Sequence, residues 1–184
     1  KLIRFSDING LIYLDEKGQY QYGAPRRNID NLDLTPIIDR RMVPESVDAL
    51  TVTVYSSRGC PGRCIYCAAP AMSGGKYRIR DIENVFLETL MALAQSRKRK
   101  EVFYSDDTFT VFRKRVERFI ELCDACKVKI SWRCESRVDA LVKNQDILSG
   151  MKRAGCRRIQ FGLESGNQQV LDNIRKNMDL DDAR

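Results

Sequence analysis

From Ala49 onward the 184-residue chain alternates short runs of β-branched and aromatic residues with longer runs whose apolar residues recur every three or four positions. ALTVTVY, EVFYSDD, VKISWRCES and RRIQFGLESG read as four strands. Between them, Ile82, Val85, Phe86, Leu90 and Leu93 share one face of a first helix, with Asp81 placed as its N-cap. Phe112, Val116, Phe119, Ile120 and Cys123 mark a second helix, and Ile147, Leu148 and Met151 a third that stops at Gly155. NQQVLDNIRK opens a fourth. Alternation of this kind predicts a parallel sheet with right-handed crossovers, in a barrel or a doubly wound layer. In such sheets the chemistry gathers at the carboxyl ends of the strands.

Residues 1–48 follow another rhythm. GLIYLDEKGQYQYG (10–23) predicts a hairpin turning at Asp15–Gly18. The stretch after it holds Pro25, Pro36 and Pro44 and little periodicity, so it reads as an ordered connector. The expected division is therefore a hairpin and connector over 1–48 and an α/β body over 49–184.

Every unusual polar group of that body falls at a strand end. SRGCPGRCIYCAAP (57–70) follows the first strand, Asp106–Asp107–Thr108 the second, Glu135 and Arg137 the third, and Glu164–Ser165–Gly166 the fourth. The first of these gathers Cys60, Cys64 and Cys67 within eight residues, in a chain with no histidine at all. A histidine base or ligand is thereby excluded. Seven cysteines, an odd number without a secretory signal, make a poor disulfide framework and a better cytoplasmic metal site. Structural zinc wants four ligands. The only other close pair, Cys123 and Cys126, reads as buried thiols because Cys123 lies on an apolar helix face, and Cys134 and Cys156 read as core thiols. Three thiolates suit a 4Fe–4S cluster whose fourth iron stays open for chemistry. Gly59, Pro61 and Gly62 let the loop wrap closely, while Arg58 and Arg63 offset thiolate charge.

The net charge of +7 is concentrated at Arg97–Lys100, at Arg113, Lys114, Arg115 and Arg118, and at Arg157–Arg158. Mixed with Glu117 and Glu121, these read as solvated helix faces ahead of a nucleic-acid surface. No run approaches the roughly 18 apolar residues of a membrane span, so no membrane partner is expected.

CPGRCIYC resembles the C-x3-C-x2-C signature of radical S-adenosylmethionine enzymes, down to the aromatic residue before the last cysteine, Tyr66. TVTVYSSRGCPGRCIYC, YSDDTFT, WRCESRVD and IQFGLESGNQQVLDNI are similar to the branch that commonly carries an N-terminal cobalamin-binding domain, and NIDNLDLTPIIDRR resembles the connector between the two domains. The resemblance implies an α/β fold, a partial (β/α)6 TIM-like barrel of which four units are present. Two further units would need roughly 55 residues at ordinary βα lengths. An excerpt or truncated product is therefore expected, with its fourth strand left as a hydrophobic edge.

By the same resemblance, Cys60, Cys64 and Cys67 hold the cluster, and S-adenosylmethionine chelates the fourth iron. Tyr66 lies near the adenine. Asp106, Asp107 and Thr108 stand where the superfamily often carries a Gly-Gly-Glu stretch that receives the amino group. Glu164 and Ser165 contact the ribose or the methionine part, and Glu135 and Arg137 reach the carboxylate or ribose. The implied activity is reductive cleavage to a 5′-deoxyadenosyl radical, in a cobalamin-dependent methyltransferase or a related C–H functionalising enzyme. Cobalamin itself would sit on a domain absent from this chain. The implied partners are a small-molecule or peptide substrate and a one-electron donor such as flavodoxin or ferredoxin. A tRNA methylthiotransferase-like enzyme, which the basic clusters would suit, and a non-catalytic iron–sulfur or zinc module are the competing readings.

Overall fold

The computed structural model describes residues 3–43, 49–98 and 101–183; Pro44, residue 48 at the expected division, and Arg99 and Lys100 of the first basic cluster lie outside the described residues. The chain forms two compact units, Lys1–Asp30 and Asn31–Arg184. In the first, β1 (Ile12–Leu14) and β2 (Tyr20–Tyr22) pair antiparallel, Ile12 opposite Tyr22 and Leu14 opposite Tyr20. Asp15 turns the corner as expected, its Oδ1 accepting from the amides of Lys17 and Gln19 at 2.9 Å each.

The second unit opens with two 3-10 turns, Leu32–Leu34 and Arg40–Met42. There follow β3 (Thr51–Val54), β4 (Ser57–Arg58), α1 (Ala69–Ser73), β5 (Arg78–Ile79), α2 (Ile82–Ala94), β6 (Glu101–Tyr104) and α3 (Arg113–Cys126). Next come β7 (Ser131–Ser136), α4 (Val138–Leu141), α5 (Ile147–Arg153), β8 (Cys156–Phe161) and α6 (Gln168–Asn173), followed by a 3-10 turn at Asp181–Ala183. Strands β3, β6, β7 and β8 stand side by side in that order, all parallel. Val54 pairs with Tyr104 and Tyr104 with Cys134; a shift after Trp132 then sets Cys134 opposite Ile159. The parallel α/β sheet expected from the alternation is present.

One face of the sheet carries Val52, Val54, Val102, Tyr104, Trp132 and Cys134, all buried in one core with Phe86, Val116, Phe119 and Met151 from the helices. Tyr104 lies 5.0–5.6 Å, ring centre to ring centre, from Phe109, Phe119 and Trp132. Such tilted and edge-on aromatic pairs add to the stabilisation from burial alone. The other face is polar. Arg133 there forms an ion pair with Glu101 at 3.0 Å, and its guanidinium lies 4.1 Å from the Phe103 ring centre.

Helix α2 begins where expected, with Asp81 accepting from the amides of Glu83 and Asn84. Several expectations need correction. Phe112 is the N-cap of α3 and 48% exposed, because the helix starts one residue after it. Leu148 is 39% exposed. Cys126, on the last turn of α3, is exposed rather than buried, and Cys156 is only half-buried at the sheet edge. Strand β8 is not a hydrophobic edge: Arg157, Arg158 and Gln160 are its exposed side chains, and charge is what blunts a free edge. Arg113 and Arg118 do lie on solvated faces, paired with Asp146, Glu117, Glu83 and Glu121. Arg115 does not; it is buried beneath α3.

The connector from Asn31 is fastened to the sheet. Arg40 donates to the carbonyl of Thr53 on β3 at 2.8 Å and to Glu88 on α2 at 3.1 Å. Arg80 donates to Glu88 at 2.6 Å and to the Tyr55 carbonyl at 2.9 Å. Among the described residues, no helix is long and apolar enough to cross a membrane.

Candidate iron–sulfur site

The cysteine loop leaves the sheet just past β3 and is closed like a clasp by β4 and β5, which pair Ser57 with Ile79 and Arg58 with Arg78. The clasp requires glycine at its entry. Gly59 has φ +88°, and a Cβ on it would lie 2.3 Å from the Lys76 carbonyl oxygen. On the sheet side, Asp106 is 1% exposed and accepts from the amides of Ser56 at 2.7 Å and Ser57 at 3.1 Å, and from the Ser56 hydroxyl. Burial pushes the Asp106 carboxyl up despite these bonds. The Ser56 carbonyl accepts from Arg115 at 2.8 Å and from the Arg80 amide at 3.0 Å. Both peptide groups of Ser56 are thus held where the chain turns into the loop.

Each sulfur has its own N–H donor. The Gly62 amide donates to Cys60 at 3.3 Å, the Ala69 amide to Cys67 at 3.4 Å, and Arg137 Nη1 to Cys64 at 3.6 Å. Cys64 is buried, Cys60 half-buried and Cys67 exposed. Burial raises Cys60 above the ordinary thiol range, with Asp107 and Cys67 adding to the effect and Gly62 and Arg137 opposing it. Among the described residues, no three cysteine, aspartate or glutamate side chains are already gathered around one point. The donor set itself fits an iron–sulfur cluster: three thiols on one loop, each with the N–H donor that a cluster-bound sulfur uses.

Around this loop the predicted residues divide. Asp107 is exposed and near enough to Cys60 for its charge to act on the thiol. Thr108 is fully buried, its carbonyl accepts from Tyr77, and its Oγ1 has no partner among the described residues. A buried hydroxyl in that state is uncommon and suits a site that a ligand completes. Arg137 is brought directly against Cys64. Tyr66 and Glu164 meet at Lys176, whose Nζ lies 3.4 Å from the Tyr66 hydroxyl and 3.1 Å from Glu164 Oε1. Lys176 and then Tyr66 hold the Glu164 carboxyl below its ordinary value. The Ser165 hydroxyl accepts from the Asn167 amide, a local turn contact. Glu135 contributes its carbonyl to the Phe109 amide at 2.9 Å, and its side chain is half-buried on the polar face of the sheet. The Asp106 carboxylate differs most from the expectation, since both its oxygens are taken up by Ser56 and Ser57.

Sequence reading missed Lys176, Arg115, Ser56 and Tyr77. Arg115 had a visible signal: it precedes Phe119 by four positions and so shares its buried face. A cleft of about 680 Å3 opens beside the loop, lined by Pro61, Gly62, Arg63, Arg137, Asp139, Asp172, Arg175 and Asn177.

A parallel α/β sheet that presents a three-cysteine loop at the carboxyl end of its first strand has the frame of an iron–sulfur barrel protein. This chain belongs to the radical SAM superfamily, whose model matches residues 54–184. That family uses a 4Fe–4S cluster and S-adenosylmethionine. An uncharacterized methyltransferase of Pyrococcus horikoshii is 33% identical over 173 residues, covering 92% of this chain and 37% of that protein. A Methanocaldococcus jannaschii protein whose name assigns it, provisionally, to the methylthiotransferases is 26% identical over 174 residues, covering 92% and 38%. The cobalamin-dependent S-adenosylmethionine radical enzyme OxsB, solved with aqua-cobalamin and S-adenosylmethionine bound, superposes with a TM-score of 0.75 at 19% identity, over 98% of this chain and 27% of that one. At that identity the likeness is one of fold. The chain spans well under half the length of these relatives.

Proposed function

We propose that this chain is the cluster-bearing part of a radical S-adenosylmethionine enzyme of the cobalamin-associated methyltransferase type. The observation that carries the reading is the cysteine loop itself, with three thiols that each have an N–H donor, in a chain of this superfamily. Cys60, Cys64 and Cys67 would hold the 4Fe–4S cluster, which when bound supplies the electron for reductive cleavage of S-adenosylmethionine. Asp107 offers an exposed carboxylate to an ammonium group, and Thr108 Oγ1 a hydroxyl free to bond a ligand. Glu164, kept ionised by Lys176 and Tyr66, stands ready to accept from ribose hydroxyls or the ammonium. Asp106 acts at one remove, fixing Ser56 and Ser57 so that the loop leaves the sheet in one direction.

The methyl-transfer assignment draws on the Pyrococcus relative, and the cobalamin assignment on the resemblance and on OxsB; in this reading cobalamin sits on a separate domain. An acidic one-electron carrier such as flavodoxin or ferredoxin serves as donor, a small molecule or peptide as substrate. All seven cysteines are free, which suits the cytoplasm. Anaerobic reconstitution followed by assay for 5′-deoxyadenosine tests the reading. Product from the wild type and none from C64A supports it, and none from either overturns it.

A further inference from the structure

Arg137 is 8% exposed, and its guanidinium makes more contacts than a side chain awaiting a ligand needs. Nε donates to Asp139 Oδ1 at 2.8 Å and Nη2 to Asp139 Oδ2 at 3.0 Å. Nη2 also donates to the Lys176 carbonyl at 2.7 Å. These bonds fix the plane of the group and leave Nη1 directed at the Cys64 sulfur, 3.6 Å away. The cysteine loop is shaped to admit it: a Cβ on Gly62 would come within 2.5 Å of Nη1.

We infer that Arg137 is a positioning residue for the iron–sulfur site, its fixed Nη1 donating to the Cys64 sulfur and its charge easing reduction of the cluster held there. The inference rests on the proposal that Cys64 is a cluster ligand, and it gives Arg137 a different task from contacting the carboxylate or ribose of S-adenosylmethionine. An N–H donor and a cation at a cluster sulfur stabilise the reduced, more negative state and so raise the reduction potential. Arginine suits the position because one rigid planar fork must serve a carboxylate, a carbonyl and a sulfur together; a lysine ammonium offers charge without that geometry.

The test uses the full 184-residue chain, reconstituted anaerobically as wild type, R137K, R137Q and G62A. Iron and sulfide content and the midpoint potential are measured without S-adenosylmethionine, and the affinity for S-adenosylmethionine separately. The expected result for R137Q is a roughly tenfold lower ratio of reduced to oxidised cluster at a fixed potential, equivalent to ~59 mV for a one-electron couple. R137K should fall between R137Q and wild type. G62A, which keeps Arg137 but displaces Nη1, should shift in the same direction as R137Q. If R137Q fails to fold, G62A decides. Variants with full iron content and an unchanged potential overturn the inference, and weakened S-adenosylmethionine binding alone would make Arg137 a ligand contact instead. A wild type that takes up no iron–sulfur cluster overturns the functional proposal, and this inference with it.

Discussion

Glu164 is an ordinary residue in an unusual conformation. It has φ +64° at the centre of a three-residue turn closed by the Ser165 amide on the Leu163 carbonyl at 2.7 Å. Non-glycine residues held there cost on the order of 1–3 kcal/mol and concentrate at functional sites. Lys176 is the group that holds the carboxylate, and the sign of its effect can be tested. Because Lys176 depresses the Glu164 pKa, this contribution to stability is complete above the ordinary carboxylate value and lost as pH falls through the depressed one. In K176M, Glu164 should titrate nearer the ordinary carboxylate range, as followed by carboxyl-carbon NMR, and the corresponding acid-side stability should vanish; identical titration in both proteins would contradict this. Asp106 offers a second test. D106A leaves the buried amides of Ser56 and Ser57 without acceptors, so urea unfolding should show a loss of about 3 kcal/mol. The three cysteines stood out by their spacing, and Tyr66 only through the family resemblance. Lys176 and Ser56 could not, since each acquires its role from partners more than ten positions away in the chain.

The elements were legible where period and cap agreed. Helix α2 starts at its capping aspartate, and D81A should cost about 1 kcal/mol in chemical denaturation. Periodicity said nothing of how the connector is ordered, and only its resemblance to an inter-domain connector marked it, because what orders it is a set of tertiary ion pairs. Glu88, with its side chain 8% exposed, lies between Arg40 and Arg80, at 12% and 11%. Removing one member of such a buried group strands the others, so E88A should destabilise by about 3–5 kcal/mol, far more than D81A. The same arginines reach the carbonyls of Thr53 and Tyr55, on either side of the point where β3 ends. E88A should therefore also slow cluster uptake, measured as iron bound after a fixed reconstitution time. Unchanged stability and uptake would mean that the connector is not what holds the entrance of the loop. The charged edge of β8 escaped sequence reading for a different reason. Alternation predicted which residues alternate, whereas exposure depends on which neighbour stands beside the strand.

In the unit Asn31–Arg184 the main core lies on one face of the four-stranded sheet. The main core draws on Val52 through Ala154, and a smaller one on Val138, Leu171 and Met178, so both are built wholly from the unit Asn31–Arg184. The opposite sheet face, with Arg133, Glu135, Arg158 and Gln160, carries charge where a parallel sheet covered on both faces would carry aliphatic residues. That polarity suits the inner wall of a barrel that handles polar ligands, and it explains why the alternation was readable as strands yet not as a closed barrel. All three thiols and their donors Gly62, Ala69 and Arg137 also lie in the second unit, as do the clasp strands and the connector that braces them. A chain comprising residues 31–184 should therefore fold cooperatively and bind the same amount of iron per chain as the full protein. Circular dichroism melting and iron analysis after anaerobic reconstitution would check this. Retained fold with lost iron would mean that the hairpin unit contributes to the loop, and loss of both would mean that the second unit needs the first to fold.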